Sequence, residues 1–138
     1  MAHWVFLDYM SPAGTNLIKK WSRKALTIQG RSDLEAMLSI LSKQQQWTEP
    51  NFKTLSGRHL QGIGEIRFKS EQNTPLRVAG IKGSVDGQYI LLVGFSHKGR
   101  VYDPPDPLDL AVKRKQLLAN NKGFTCEHEE DNGKIEEE

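Results

Sequence analysis

Three runs of residues between positions 62 and 102 constrain this chain most, because together they predict a small antiparallel sheet. In residues 62–69, charged side chains alternate with apolar or small ones, the period-of-two pattern of a strand with one buried and one wet face. Residues 88–96 are almost wholly apolar, which is typical of a strand buried on both faces. The dipeptide Asp86-Gly87 joins that run to the one before it and is a strong hairpin signal. We therefore predict an antiparallel meander of three strands.

The segment before the meander predicts one strand and two helices. Residues 3–9 have the aromatic and β-branched composition of a strand. Ser11 and Pro12 suit the N-cap and first position of a helix, and Gly30 suits its end. Residues 32–35, Ser-Asp-Leu-Glu, form a capping box that predicts the start of a second helix, and an apolar stripe follows it. The two helices are predicted to pair as a hairpin over one face of the sheet.

A third helix is predicted after the meander, from Pro107 to Asn120, with Asp106 as its cap. Its cationic side chains, those of Lys113, Arg114 and Lys115, are predicted to face water. The complete order is then one strand, two helices, three antiparallel strands and a helix. This order predicts an α+β fold, β-α-α-β-β-β-α, with the helical hairpin packed on a small antiparallel sheet.

The charge of the chain is unevenly distributed. Of 19 basic and 17 acidic residues, positions 127–138 hold one of the basic and seven of the acidic residues, so the rest carries 18 basic and 10 acidic side chains. A basic body of this kind favours a polyanionic partner. We predict one folded domain over residues 1–123 and an acidic tail, residues 124–138, that is disordered or folds back over the basic surface.

Other features argue against several classes of protein. No apolar run approaches the roughly 20 residues of a transmembrane helix, and the start of the chain lacks the pattern of a signal peptide. The single cysteine, Cys126, cannot form an internal disulfide, which fits a reducing compartment. The histidines and Cys126 have no metal-ligand spacing. We therefore expect a cytoplasmic protein that uses no membrane, no metal and no cofactor.

Four segments carry a family resemblance. They are residues 62–68 (Gly-Ile-Gly-Glu-Ile-Arg-Phe), residues 76–78 (Leu-Arg-Val), residues 90–98, which run through Gly-Phe to a lysine, and residues 104–118, a proline-led helix. In this order they resemble the RelE/ParE toxin superfamily, most closely its phage-derived branch that includes HigB. The resemblance spans about residues 3–120. The chain departs from the family at residues 96–100, where paired lysines and a threonine usually follow Gly-Phe.

The resemblance implies a toxin of a type II toxin-antitoxin system that cleaves messenger RNA on the ribosome and so inhibits translation. The expected chemistry is metal-independent: the ribose 2′-hydroxyl attacks the adjacent phosphate. The expected partners are a cognate antitoxin protein, the ribosome and messenger RNA. Two alternatives remain open, namely a ParE-like inhibitor of DNA gyrase without catalysis of its own, and a phage-derived remnant that has lost its activity.

Cleavage of this kind needs a base, an acid and cations near the phosphate, and this chain supplies candidates of each kind. Catalytic roles are implied for Arg67, Arg77, His97 and Lys98, and RNA-binding roles for Lys69, Lys82, Arg100, Tyr102, Arg58 and His59. Arg67 and Arg77 are expected on neighbouring strands and on one sheet face, where the planar guanidinium groups suit phosphate. The competing interpretations are that Arg67 forms a charge pair with Glu65, that His97 is an ordinary loop residue and that Tyr102 serves packing.

Overall fold

The computed structural model describes residues 3–70, 73–98 and 100–130, and it confirms the α+β class. The described elements are β1 (Val5–Met10), α1 (Leu17–Ala25), α2 (Ile28–Ser42), β2 (Phe52–Thr54), a 3-10 turn (Arg58–Leu60), β3 (Gly64–Lys69), β4 (Pro75–Lys82), β5 (Gln88–Lys98), β6 (Val101–Asp103), α3 (Pro107–Ala119) and β7 (Phe124–Glu127). None of the helices in these residues is long and apolar enough to cross a membrane.

The sheet is larger than predicted, and it is mixed. Strands β3, β4 and β5 form the predicted antiparallel meander, in which the turn at Asp86-Gly87 joins β4 to β5. The sheet as described has seven strands, in the order β2-β3-β4-β5-β1-β7 with β6 also paired to β5. The prediction of a purely antiparallel sheet is wrong, because β1 lies parallel to β5. Two helices and three strands separate β1 from β5, a connection long enough to permit a parallel pair.

The two N-terminal helices begin at other residues than predicted. Ser11 and Pro12 lie in a turn, and α1 begins after Asn16, whose side chain accepts a hydrogen bond from the Lys19 amide at 2.9 Å. Thr27 caps α2 by accepting a hydrogen bond from the amide of Gly30 at 3.0 Å. Gly30 therefore lies inside α2 instead of ending α1, and the predicted capping box at residues 32–35 lies within α2.

Helix α3 has almost the predicted bounds, but its cations are placed differently. Asp106 occupies the N-cap position without a side-chain hydrogen bond to the helix. Lys113 is exposed as predicted. Arg114 is not: its guanidinium donates to the Leu92 carbonyl at 2.7 Å and lies over the ring of Tyr9. The sequence pattern missed this because the basic run looks uniformly polar, whereas one of its members faces the sheet.

Each face of the sheet carries an apolar core. Helices α1 and α2 cover one face, as predicted, and α3 covers the other, called the α3 face below. The α1–α2 core includes Phe6, Ile18, Leu34, Leu38, Leu41, Ile66, Val78 and Leu91. The core on the α3 face includes Tyr9, Ile63, Ala79, Leu92, Val93, Phe95 and Ala111.

The acidic tail does not begin at residue 124. Residues 124–127 form β7, which pairs antiparallel with β1, and the His128 amide donates to the Phe6 carbonyl at 2.9 Å. The prediction of disorder is therefore wrong for this part of the tail, because its backbone completes the hydrogen bonding of β1. Residues 131–138, and with them most of the predicted fold-back segment, lie outside the described residues.

Candidate functional site

Arg67 and Arg77 lie directly opposite each other on β3 and β4. Both guanidinium groups donate to the same oxygen, Oε1 of Glu65: Nε of Arg67 lies 2.7 Å from it and an Nη of Arg77 lies 2.8 Å from it. The prediction that the two arginines share one sheet face is confirmed. The charge pair between Arg67 and Glu65, which was the competing interpretation, is also present.

Sequence analysis did not predict that Glu65 contacts both arginines. Glu65 is only 5% exposed, so its charge depends on the two arginines for compensation. Because two arginines surround one glutamate, the cluster of Glu65, Arg67 and Arg77 carries a net positive charge. The arginine side chains are 30% and 20% exposed, so part of each guanidinium reaches the surface. The signal was present in the sequence, since Glu65 stands two positions from Arg67 and hence on the same strand face.

A β-bulge decides which residues of β5 join the arginines. Gly80 pairs with Leu91, but Ala79 pairs with Val93, so Leu92 is an extra residue in β5. Beyond the bulge the alternation is inverted, and Phe95 becomes the partner of Arg77 on the α3 face. His97, two residues further along β5, lies on the same face.

The rings of His97 and Tyr102 stack across the pairing of β5 with β6. Their centroids are 4.4 Å apart and their planes differ by 2°. Phe95 also lies near this pair, with its centroid 6.0 Å from that of Tyr102. Tyr102 is 43% exposed, so it both packs on its neighbours and presents aromatic surface to a ligand. We call Arg67, Arg77, Phe95, His97 and Tyr102 the arginine–aromatic surface.

Three more of the predicted residues lie beside this surface. Lys69 ends β3 two residues beyond Arg67 and is exposed. Arg100 is exposed in the turn between β5 and β6. The backbone of Lys98 pairs with Val101, and its side chain lies outside the described part of the structure.

The other predicted RNA-binding residues are not brought to the arginine–aromatic surface. Lys82 ends β4 five residues from Arg77, a separation of about 17 Å along a strand. Arg58 and His59 lie in the 3-10 turn that precedes the opposite end of β3. In the sequence, these residues could be grouped with the arginines only by their charge. In the fold, the direction of β3 and β4 places them away from the arginine–aromatic surface.

A buried ionic cluster at the other side of the sheet had no signal in the sequence. Nδ1 of His128 lies 2.7 Å from a carboxylate oxygen of Asp8, and Nε2 lies 2.6 Å from one of Glu35. Burial alone would lower the pKa of His128, but the hydrogen bonds and charges of Asp8 and Glu35 outweigh it and raise the pKa to about 10. At neutral pH the imidazole is therefore a cation between two anions.

The neighbouring thiol of Cys126 belongs to the same region. Its pKa is raised, first by burial and then by the charges of Asp8 and Glu129, so it is not an activated nucleophile. The amide of Asn16 lies between this thiol and Asp8. Within residues 3–70, 73–98 and 100–130, no three His, Cys, Asp or Glu side chains are arranged to hold a metal ion. The cluster is consistent with a role in fastening β7 to β1 and α2.

Comparisons with known proteins do not add to this description: no family model, no curated protein and no solved structure matches this chain. Any assignment of function therefore depends on the residues of the chain and their geometry. Among the groups described above, the arginine–aromatic surface combines two partly exposed cations, the exposed ring of Tyr102 and an acid–base side chain.

Proposed function

We propose that this protein is a toxin of a type II toxin-antitoxin system that binds messenger RNA at the arginine–aromatic surface and cleaves it on the ribosome. One observation carries the proposal: two guanidinium groups fixed by Glu65 lie on the same sheet face as the stacked His97–Tyr102 pair. The resemblance to the RelE/ParE superfamily supports the proposal through Arg67 and Arg77, which lie in two of the segments that carry it.

The arginine pair suits a phosphate. A guanidinium is planar, stays charged and can donate two parallel hydrogen bonds to phosphate oxygens. Glu65 uses one oxygen to hold both groups, so their remaining N–H donors are oriented before a ligand arrives. Donors fixed in advance stabilise developing charge without a cost of reorganisation during the reaction. Glu65 is in this scheme a positioning residue.

The chemistry assigned to the surface is transesterification. His97, as the neutral imidazole, takes the proton of the 2′-hydroxyl, and that oxygen forms a bond to the adjacent phosphorus. The bond from phosphorus to the 5′-oxygen breaks, and the leaving oxygen takes a proton from an acid, such as protonated His97 or Lys98. The products are a 2′,3′-cyclic phosphate and a 5′-hydroxyl. Arg67 and Arg77 stabilise the charge on the phosphoryl oxygens.

Tyr102 is assigned the recognition of a base. Proteins recognise single-stranded RNA by stacking unpaired bases on aromatic side chains, and each stack contributes about 1–3 kcal/mol. One face of the Tyr102 ring is used by His97, and the residue is still 43% exposed. A base stacked on the remaining surface of Tyr102 would extend the stack that the tyrosine forms with the proposed catalytic imidazole.

The arrangement of elements also supports the proposal. Its α+β class, with three helices packed on a sheet, agrees with the class of fold that the resemblance implies. The proposed partners are the translating ribosome and an antitoxin that covers the arginine–aromatic surface, both in the cytoplasm.

The test is induction of the protein in bacterial cells, followed by primer extension on an abundant message. We expect growth arrest and cuts that vanish with His97→Ala, because loss of a general acid or base costs about 10²–10⁴-fold in rate. Arg67→Gln should weaken cleavage while it keeps a hydrogen bond to Glu65. Lys43→Ala, an exposed substitution at the end of α2, is the matched control and should cleave like the parent.

Three results would overturn the proposal. Growth arrest with intact messages and a DNA-damage response would point to gyrase. Cuts that persist in His97→Ala and Arg67→Gln, with circular dichroism showing folded variants, would place the site elsewhere. The absence of any arrest or cutting by the folded parent protein would favour a remnant without activity.

A further inference from the structure

A second concave site lies at the opposite end of the sheet, where β3 begins and β4 ends. It is an open cleft of about 690 Å³, within the size range of small-molecule sites. Four aromatic residues, Trp4, Trp47, Phe52 and Tyr89, form much of its wall. We call it the Trp47 cleft, because the Trp47 ring contacts the other three, with centroid distances of 4.7, 5.2 and 4.8 Å to Trp4, Phe52 and Tyr89.

The rim of the cleft is cationic. Lys82, at the end of β4, and Lys115, on α3, line it, and none of its described lining residues is acidic. The Lys115 ammonium donates to the neutral carbonyl of Gln61, so its charge is not neutralised there. No carboxylate among the described residues forms an ion pair with either lysine. An anion at this rim would therefore meet two positive charges.

The wall of the cleft also contains a polar atom that lies beside the backbone of Gly64 and is incompletely hydrogen-bonded. The hydroxyl of Tyr89 is buried, and no described residue forms a hydrogen bond of good geometry with it. Burial raises its pKa, an effect that the backbone of Gly64 only partly offsets, so the group is a neutral phenol. Incomplete hydrogen bonding of a buried hydroxyl is unfavourable, and a polar atom of a ligand can complete it.

We propose that the Trp47 cleft binds a small planar aromatic anion, with its ring against Trp4 and Trp47 and its anionic group between Lys82 and Lys115. A polar atom on the ring then reaches the Tyr89 hydroxyl. The chemistry is shared by two kinds of ligand, a mononucleotide and an aromatic carboxylate. This inference does not depend on the proposed RNA cleavage, because Lys82, at the rim of the cleft, lies about 17 Å along β4 from Arg77.

The test uses 2-naphthoate as the probe and the indole N–H signals of the full chain in two-dimensional NMR as the readout. We expect saturable shifts of the Trp4 and Trp47 signals and little change at Trp21, which lies outside the cleft. The neutral analogue 2-naphthalenemethanol and the non-planar cyclohexanecarboxylate should each bind at least tenfold more weakly. Adenosine monophosphate is titrated in parallel, and the tighter of the two anions identifies the natural kind of ligand.

Matched lysine variants show whether a loss of 2-naphthoate binding comes from the missing charge or from a disturbed fold. Replacing Lys82 and Lys115 by Gln should weaken 2-naphthoate binding about tenfold, whereas Lys113→Gln, an exposed change on the same helix as Lys115, should not. Equal binding by the double variant and the parent, or equal binding of the neutral analogue, would overturn the proposal. So would no shift of the Trp4 and Trp47 signals with either anion. Unchanged affinity in Tyr89→Phe would overturn the role given to the hydroxyl.

Discussion

Nδ1 of His128 lies 2.7 Å from Oδ1 of Asp8, although 120 residues separate the two along the chain. This contact, together with the bond to Glu35, attaches the segment after β7 to β1 and to α2. It holds a cation and two anions in a buried place, where each charge depends on the others. The stability of the fold should therefore respond to pH through this one imidazole.

We expect the free energy of unfolding to fall as the pH rises from about 6.5 to about 10. The pKa of His128 is raised from 6.5 to about 10, so its stabilising contribution is complete below the unfolded value and is lost as the pH passes the folded value. The measurement is urea denaturation at several pH values, for the parent and for His128→Asn. The difference in free energy of unfolding between the parent and His128→Asn should shrink with increasing pH. A difference that is independent of pH would contradict a positive charge on His128.

Replacing Glu65 by Ala should destabilise the protein by about 3 kcal/mol. The change leaves two guanidinium groups facing each other at paired positions with no anion between them. The control is Glu127→Ala, which removes an exposed carboxylate from β7. The urea midpoint should fall for the first variant and stay within error for the second. Equal midpoints would show that Glu65 does not hold the pair.

Gly94→Ala should destabilise the protein by about 1–3 kcal/mol through overpacking. A Cβ at position 94 would lie 2.1 Å from Cε3 of Trp21, so the indole would have to move. If Trp21 is first replaced by the shorter Leu, Gly94→Ala should cost less stability. The double variant is therefore compared with Trp21→Leu alone, and Gly94→Ala with the parent. Thermal unfolding measures both effects. A stability penalty that is the same with Trp21 and with Leu at position 21 would contradict this contact as the cause.

Tyr102→Ala should weaken binding of short single-stranded RNA about 5- to 150-fold, because one stacking interaction contributes about 1–3 kcal/mol. Tyr102→Phe keeps the ring and should retain most of the affinity. Phe124→Ala is the matched control, since it removes another exposed aromatic ring at the far edge of the sheet. Fluorescence anisotropy at low salt gives the dissociation constants. Similar affinities for Tyr102→Ala and Phe124→Ala would argue against a base site at Tyr102.

Sequence reasoning predicted the parts of the fold that depend on local pattern. The meander was readable because charged and apolar residues alternate in β3 and because Asp86-Gly87 marks a turn. The starts of α1 and α2 were wrong because several capping signals compete within a few residues, and Asn16 and Thr27 make the hydrogen bonds in the folded chain. Local sequence cannot rank such signals when tertiary packing decides between them.

The candidate site was only partly predictable for a different reason. Strand periodicity allowed Arg67 and Arg77 to be predicted on one sheet face, but their direct pairing depends on the register of β3 and β4, which the sequence does not give. The bulge at Leu92 lies inside an apolar run with no alternation to reveal it, so the placement of Phe95 and His97 required the structure. His128 was missed because it stands among acidic residues that have the composition of a disordered tail, while its partners come from β1 and α2.

Strand β7 determines how far the C-terminus can be shortened without damage to the fold. A chain shortened at residue 123, the boundary suggested by composition, would leave one side of β1 without a hydrogen-bonding partner. It would also leave Asp8 and Glu35 buried without their imidazole. An open strand edge is a template for pairing with another extended chain, so such a fragment should self-associate or capture peptide strands. Expression designs and fusion junctions should therefore retain the chain through His128 and the residues that follow it.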